Sequence, residues 1–230
     1  MLGWSDWRSS QADYVVVPAD HLTRKPAALD WIRAGGLFVA DVTAFASVRA
    51  VQSKEDETVV VSGAAGGVGS LTVQLARNAG AHVIGVASEA NAAWLRSVGV
   101  TPVAYGEGLA DRLRAAAPDG IDAFLDTYGG GYVDQAVELR VDSARIDTII
   151  DYAAAQKAGA KIEGSSTAGD AEILSFLAGE LAWGRIVLPI AAIYPLDAVR
   201  EAYSELVARH TRGKSCSPPS SPRTRAAFRQ

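Results

Sequence analysis

The residues that most limit what this chain can fold into are Ser62-Gly63-Ala64-Ala65-Gly66-Gly67-Val68-Gly69. They follow Thr58-Val59-Val60-Val61, an uncharged β-branched run that reads as a buried strand. They open residues 67–79, where Val68, Leu71, Leu75 and Ala79 recur at helical spacing. A strand, a glycine turn and a helix in that order form the phosphate-binding part of a βαβ unit. Gly66 lets the backbone approach a pyrophosphate, and Gly69 lets the helix lie close on the strand. The N–H groups of Gly67 and Val68 fall at a helix start, where an anion is favoured. A tight strand–helix turn without a ligand is the plain alternative.

Competing motifs do not fit. A P-loop needs Lys and then Ser/Thr after its last glycine, whereas Gly69 precedes Ser70-Leu71. Short-chain dehydrogenases pair a tyrosine with a lysine four residues on; Tyr152 has Gln156 there, and Lys157 is turned by roughly 100° on a helix. Residues 58–76 are uncharged and long enough to span a bilayer, but their glycines disfavour one long helix by about 1 kcal/mol each.

Beyond the turn the pattern alternates. Strands are expected at 82–87, 102–105, 121–126 and 145–150, with helices at 89–98, 109–117 and 132–139. Such alternation gives parallel βαβ units, so the fold class is α/β, a doubly wound parallel sheet of the Rossmann type. Upstream, residues 14–18 read as a short strand ended by proline, and 29–51 as a helix interrupted at Gly35-Gly36. Downstream come a weak strand at 161–164, a helix at 171–183, a strand at 186–193 and a helix at 196–208. Residues 215–230 hold Ser, Pro and Arg without an acidic residue and are expected to be disordered.

A net charge of −4 gives no basic field for nucleic acid, and no membrane partner is expected. The single cysteine, Cys216, excludes an internal disulfide and a Cys-rich zinc site, which fits a reducing, cytoplasmic compartment. His21, His82 and His210 are far apart in sequence, and no metal site is expected. Asp122 and Asp126 share even spacing and are assigned surface or loop roles.

Ala64-Ala65-Gly66-Gly67-Val68-Gly69, followed by Gln74-Leu75-Ala76, resembles the zinc-independent quinone oxidoreductase branch of the medium-chain dehydrogenases/reductases. The likeness runs over about residues 12 to 214. Tyr14-Val15-Val16-Val17-Pro18, Leu22 and Lys25-Pro26 are similar to the last strand of that family's GroES-like catalytic domain. Tyr194-Pro195-Leu196, Ala202-Tyr203 and Gly213-Lys214 are similar to its C-terminal return. The resemblance divides the chain into a GroES-like remnant at 1–28, a dinucleotide-binding domain at 29–189, the return at 190–214 and a tail at 215–230. Against the family pattern the chain looks truncated at its start and altered after Lys214.

The resemblance implies NADP(H) as cofactor, no zinc, and hydride transfer to a small-molecule quinone or α,β-unsaturated carbonyl, with room for a homodimer. A nucleotide-binding or regulatory protein without turnover is the alternative. The implied cofactor contacts are Thr43 on the nicotinamide side, Ala65, Gly66, Gly67, Val68 and Gly69 in the turn, and Ser88, Asn91 and Tyr105 around the adenosine phosphate. Thr127 and Gly129 lie on a loop toward the nicotinamide, and Ile149 and Ile150 flank the carboxamide. Ser88 ends the second strand, where an acid would hold the ribose of NAD; a serine leaves room for a 2′-phosphate. Glu89, and Asn91 where related reductases place a lysine, weigh the other way. Ser88 and Asn91 equally suit helix capping, Tyr105 a strand end, and Gly129 a turn. No residue is assigned as the catalytic acid.

Overall fold

A computed structural model describes residues 1–5, 15–207 and 211–217. The chain opens with β1 (Leu2–Gly3), β2 (Leu22–Thr23), α1 (Trp31–Gly36) and α2 (Val39–Ala50). Alternating elements follow: β3 (Thr58–Ser62), α3 (Gly69–Asn78), β4 (His82–Ala87), α4 (Ala92–Ser97), β5 (Thr101–Ala104), α5 (Leu109–Ala116), β6 (Ala123–Asp126), α6 (Tyr132–Glu138) and β7 (Ile146–Thr148). The last part holds α7 (Tyr152–Ala158), α8 (Ser165–Ala168), α9 (Ala171–Ala182), β8 (Ile190–Ile193), α10 (Val199–Val207) and β9 (Lys214–Cys216).

The valines of β3 are apolar on both pleat faces, so the strand is stable only where both faces are covered. It takes the centre of a five-stranded sheet ordered β5-β4-β3-β6-β7, and every pairing in it is parallel. Val59 and Val61 pack on one side with Val73 and Ala76 of α3 and Leu95 of α4. Val60 faces the other side with Phe124, Leu109 and Leu113 of α5, and Val133 of α6. A third cluster joins α2, α3 and α9 to Leu2, Leu29, Ile186 and Leu188. Strand order reverses at β3, whose neighbours β4 and β6 run off in opposite directions; a crevice opens above the C-terminal ends of strands at such a switch point. The doubly wound parallel sheet expected from the sequence is therefore present, and residues 58–76 are strand, turn and helix. No helix among the described residues is long and apolar enough to cross a membrane.

Several expectations are corrected. Residues 15–18 form no strand, and Val16 is 93% exposed, because no described strand pairs with them; Tyr14 lies outside the described residues. The helical break expected at Gly35-Gly36 falls at Leu37-Phe38 instead. There Phe38 adopts φ 104°, held by stacking on Trp4 at 4.4 Å, which itself stacks on His21 at 4.1 Å. The strand expected at 161–164 reduces to one parallel bridge between Asp147 and Lys161. Ser215 and Cys216 are strand rather than disordered tail, since pairing β9 in parallel with β8 satisfies their backbone whatever the side chains. Residues 218–230 lie outside the described residues.

Candidate functional site

Ser62 passes into the glycine turn at the C-terminal end of β3. Gly63 has φ 59° and accepts a bond from Gly66 N at 2.8 Å. A Cβ on Gly69 would stand 2.2 Å from Gly63 O, so only glycine lets α3 start this close to the strand. A Cβ on Gly66 would stand 3.2 Å from Gly63 O, a tight contact, with no other atom within 4 Å. The N–H groups of Gly67, Val68 and Gly69 donate to nothing among the described residues. Free donors at the start of α3 make a ready anion site, and a pyrophosphate fits it. Ala65 N–H is equally free, while its carbonyl accepts Gly213 N at 2.9 Å from the return segment.

The neighbouring strand ends share this rim. Asp126, at the end of β6, is fully buried and organises it. Its Oδ1 accepts Ser62 Oγ at 2.5 Å, Tyr128 N at 3.0 Å and Gly129 N at 2.9 Å. Its Oδ2 accepts Thr148 Oγ1 at 2.8 Å. The surface or loop role assigned to Asp126 is thus wrong: registered pairing of Ser62, Asp126 and Thr148 on β3, β6 and β7 makes it the hub between three strands. Asp122 is closer to expectation, accepting Thr58 N at 2.8 Å on the opposite end of the sheet.

Thr127 Oγ1 donates to Ser62 O at 2.6 Å and its N–H to Ser62 Oγ at 3.1 Å, and Gly129 holds φ 81° with its missing Cβ 3.0 Å from Ile150 Cγ2. Ile149 N donates to Asp126 O at 3.1 Å, and Ile150 is half exposed. Thr148 Oγ1 in turn accepts Ile150 N and Asp151 N. Ser88 and Asn91 follow β4 and are bonded to each other, Asn91 Nδ2 to Ser88 Oγ at 2.9 Å; neither side chain caps a helix. Tyr105 ends β5, is mostly exposed, and donates its N–H to Ala87 O at 3.2 Å. The sheet therefore brings all these residues to one rim. Thr43 is placed apart, on α2 and nearly buried, with its hydroxyl accepting Ser165 N at 3.2 Å.

Two tyrosines at the rim were assigned no site role from the sequence. Tyr132, on α6, meets Tyr128 edge-on at 6.1 Å, and burial, helped by the negative charge of Asp126, pushes its phenol up to about 12. Tyr152 is 59% exposed and donates its phenol to Ile149 O at 3.1 Å, which sets an O–H beside the 149–150 segment. The signal for Tyr152 was its place after an Asp N-cap, since Asp151 Oδ1 accepts Ala154 N at 3.2 Å. Across the turn, Lys214 pairs with the buried Asp41 and donates to Gly36 O at 2.6 Å. Burial pushes the Asp41 carboxyl up, against the pull of Lys214. Among the described residues no group of His, Cys, Asp and Glu could hold a metal ion, and His210 lies outside them.

Fold and rim together define an α/β domain of the Rossmann type. A family model described as "Zinc-binding dehydrogenase" matches residues 67–149. Prostaglandin reductase-3 of Bos taurus is 36% identical over 144 residues, which cover 61% of this chain and 38% of that protein. The NADPH-dependent curcumin reductase of Escherichia coli (strain K12) is 33% identical over 149 residues, 63% of this chain and 42% of the relative. The structure of a quinone oxidoreductase from Coxiella burnetii matches with TM-score 0.76 and 26% identity, covering 87% of this chain and 64% of the other. The chain thus matches about two fifths of the length of these curated relatives. In sequence and fold the nucleotide domain is thus similar to these reductases and oxidoreductases, the direction in which its glycine motif also points.

Proposed function

We propose that the chain is an NADP(H)-dependent oxidoreductase acting on a quinone or an α,β-unsaturated carbonyl. The observation that carries this reading is the set of free N–H groups at Gly67, Val68 and Gly69, opening onto the crevice at the sheet's switch point. The relative named above for NADPH-dependent reduction supports the class of chemistry. NADPH, when bound, supplies the hydride. The turn would hold the pyrophosphate, Ser88 and Tyr105 would border the adenosine, and Thr127, Gly129, Ile149 and Ile150 would orient the nicotinamide half. Asp126 holds the 127–129 loop rigid through its backbone bonds. Tyr152 Oη is the candidate proton donor, because its exposed O–H stands at the Ile149 carbonyl. Zinc has no part in this reading.

Nucleotide binding without turnover is the second reading. It is favoured by the exposure of Ile150 and Tyr152, which leaves the nicotinamide end without a second wall among the described residues. Steady-state NADPH oxidation with a panel of quinones and enones separates the two. Cofactor fluorescence titration tests their shared premise: NADPH should bind more tightly than NADH, and Gly66→Val should abolish binding while leaving the fold largely intact. Wild-type affinity in Gly66→Val would make the turn structural only.

A further inference from the structure

Among the described residues the end of β4 offers no cation for a phosphorylated ribose, and the guanidinium of Arg112 at the end of β5 is taken up by the carbonyls of Ala104, Gly106 and Glu107. Ser88 and Asn91 are neutral and satisfy each other. A cleft of about 410 Å³ lies between Trp94 on α4 and the return segment, walled by Val187, Pro189, Ile190, Ala191 and Arg212. Trp94 stands three residues after Asn91, so the two project to one side of that helical turn. On the opposite wall, Arg212 precedes Gly213, whose N–H is tied to Ala65 O in the glycine turn. Gly213 O also lies 3.4 Å from where a Cβ on Gly67 would be. Arg212 is therefore anchored within a residue of the anion-binding turn while its side chain lines a cleft shared with α4.

Arg212 is also uncommitted. Arg33, Arg114, Arg145 and Arg185 each hold a carboxylate. Arg212 makes no hydrogen bond or ion pair among the described residues. A planar guanidinium presents paired donors that match a phosphate bidentately.

The geometry points to Arg212 as the residue that binds the 2′-phosphate of the cofactor, supplying from the return segment the charge that Asn91 lacks. This assignment rests on the nucleotide reading above and makes the return segment a specificity element. The test is equilibrium binding of NADPH, NADH, 2′,5′-ADP and 5′-ADP to wild type, Arg212→Gln and Arg212→Lys, with thermal melts to verify folding. Arg212→Gln should weaken NADPH and 2′,5′-ADP at least tenfold and leave NADH and 5′-ADP unchanged; Arg212→Lys should fall between. Equal weakening of all four ligands would assign Arg212 to the pyrophosphate and overturn the proposal, as would no weakening at all. Wild type that binds neither NADPH nor NADH would overturn the nucleotide reading itself and the Arg212 assignment with it.

Discussion

β3 and β8 are both short apolar strands, and they sit in opposite surroundings. β3 has parallel partners on both sides, and Val59, Val60 and Val61 are wholly buried. Among the described residues β8 has only β9 beside it, its residues alternate between half-buried and exposed, and Ile193 is 52% exposed. Burial therefore holds the central sheet, while point contacts hold the outer ribbon: Gly213 N to Ala65 O, Tyr194 N to Cys216 O, and Lys214 to Asp41. Apolar content alone does not decide which kind of strand a segment becomes; the number of partners does.

The largest effect that would break this contrast comes from the core. Phe124→Ala empties a fully buried site on β6 and should cost about 3–5 kcal/mol, whereas Ile193→Ala on β8 should stay within about 0.5 kcal/mol. Urea midpoints measure both. Comparable losses would mean that β8 is buried against something in solution. Next comes the ribbon's anchor. Lys214→Met leaves Asp41 buried without its cation, at about 3 kcal/mol, and adding Asp41→Asn should recover much of that loss. Hydrogen exchange sharpens the point: amides near 211–216 should open in Lys214→Met before those of β3.

The same contrast explains what the sequence disclosed. β3, β4, α3, α5 and α9 were legible because their patterns are local: β-branched runs, helical spacing, and the stop at Gly80, which has φ 94°. The strand readings at 14–18 and 161–164 failed because a strand exists only with a partner, and partners are distant in sequence. Asp126 was misjudged for the same reason, since its role depends on Ser62 and Thr148, which are 64 and 22 residues away. Arg212 had no local signal at all; only the return of Gly213 onto Ala65 brings it to the rim. α7 was missed although its Asp151 cap and Gly159 stop, with φ 72°, are both in the sequence.

A smaller effect tests the edge of the sheet. Asp147 on β7 is buried, with Oδ2 accepting Ser47 Oγ at 2.5 Å and Oδ1 accepting Glu163 N at 2.8 Å. Burial pushes its carboxyl up to about 6, Glu163 adds to the rise, and Lys161 opposes it. The folded chain therefore binds this proton more tightly than the unfolded chain does. Its stabilising share is complete below about pH 4 and is lost as pH rises through about 6, amounting to on the order of 3 kcal/mol. Asp147→Asn should be at least as stable as wild type at pH 8 and lose that advantage below pH 5. A stability difference between the two that does not change with pH would show that Asp147 stays ionised in the fold.

The smallest effect concerns α7, which joins the sheet to the rim. A seven-residue helix is marginal alone and needs both packing and a cap. Ala155 is the one fully buried residue of α7, Ala154 and Ala158 pack against the core beside it, and Asp151 Oδ1 supplies the cap at Ala154 N. Thr148 Oγ1 receives Ile150 N and Asp151 N, so the cap and the 149–150 segment form one hydrogen-bonded unit. Asp151→Ala removes the cap while leaving the backbone donors to Thr148 in place. It should cost about 1 kcal/mol, a Tm drop of roughly 2–4 °C, and Asp151→Ser should restore most of it. Fraying of the first turn also frees Tyr152, which begins α7, from Ile149 O. Cofactor affinity should then fall by less than Tm implies for the turn, because the pyrophosphate donors lie on α3. An unchanged Tm in Asp151→Ala would show that packing alone holds α7, and that the rim at β7 is fixed by burial as firmly as β3.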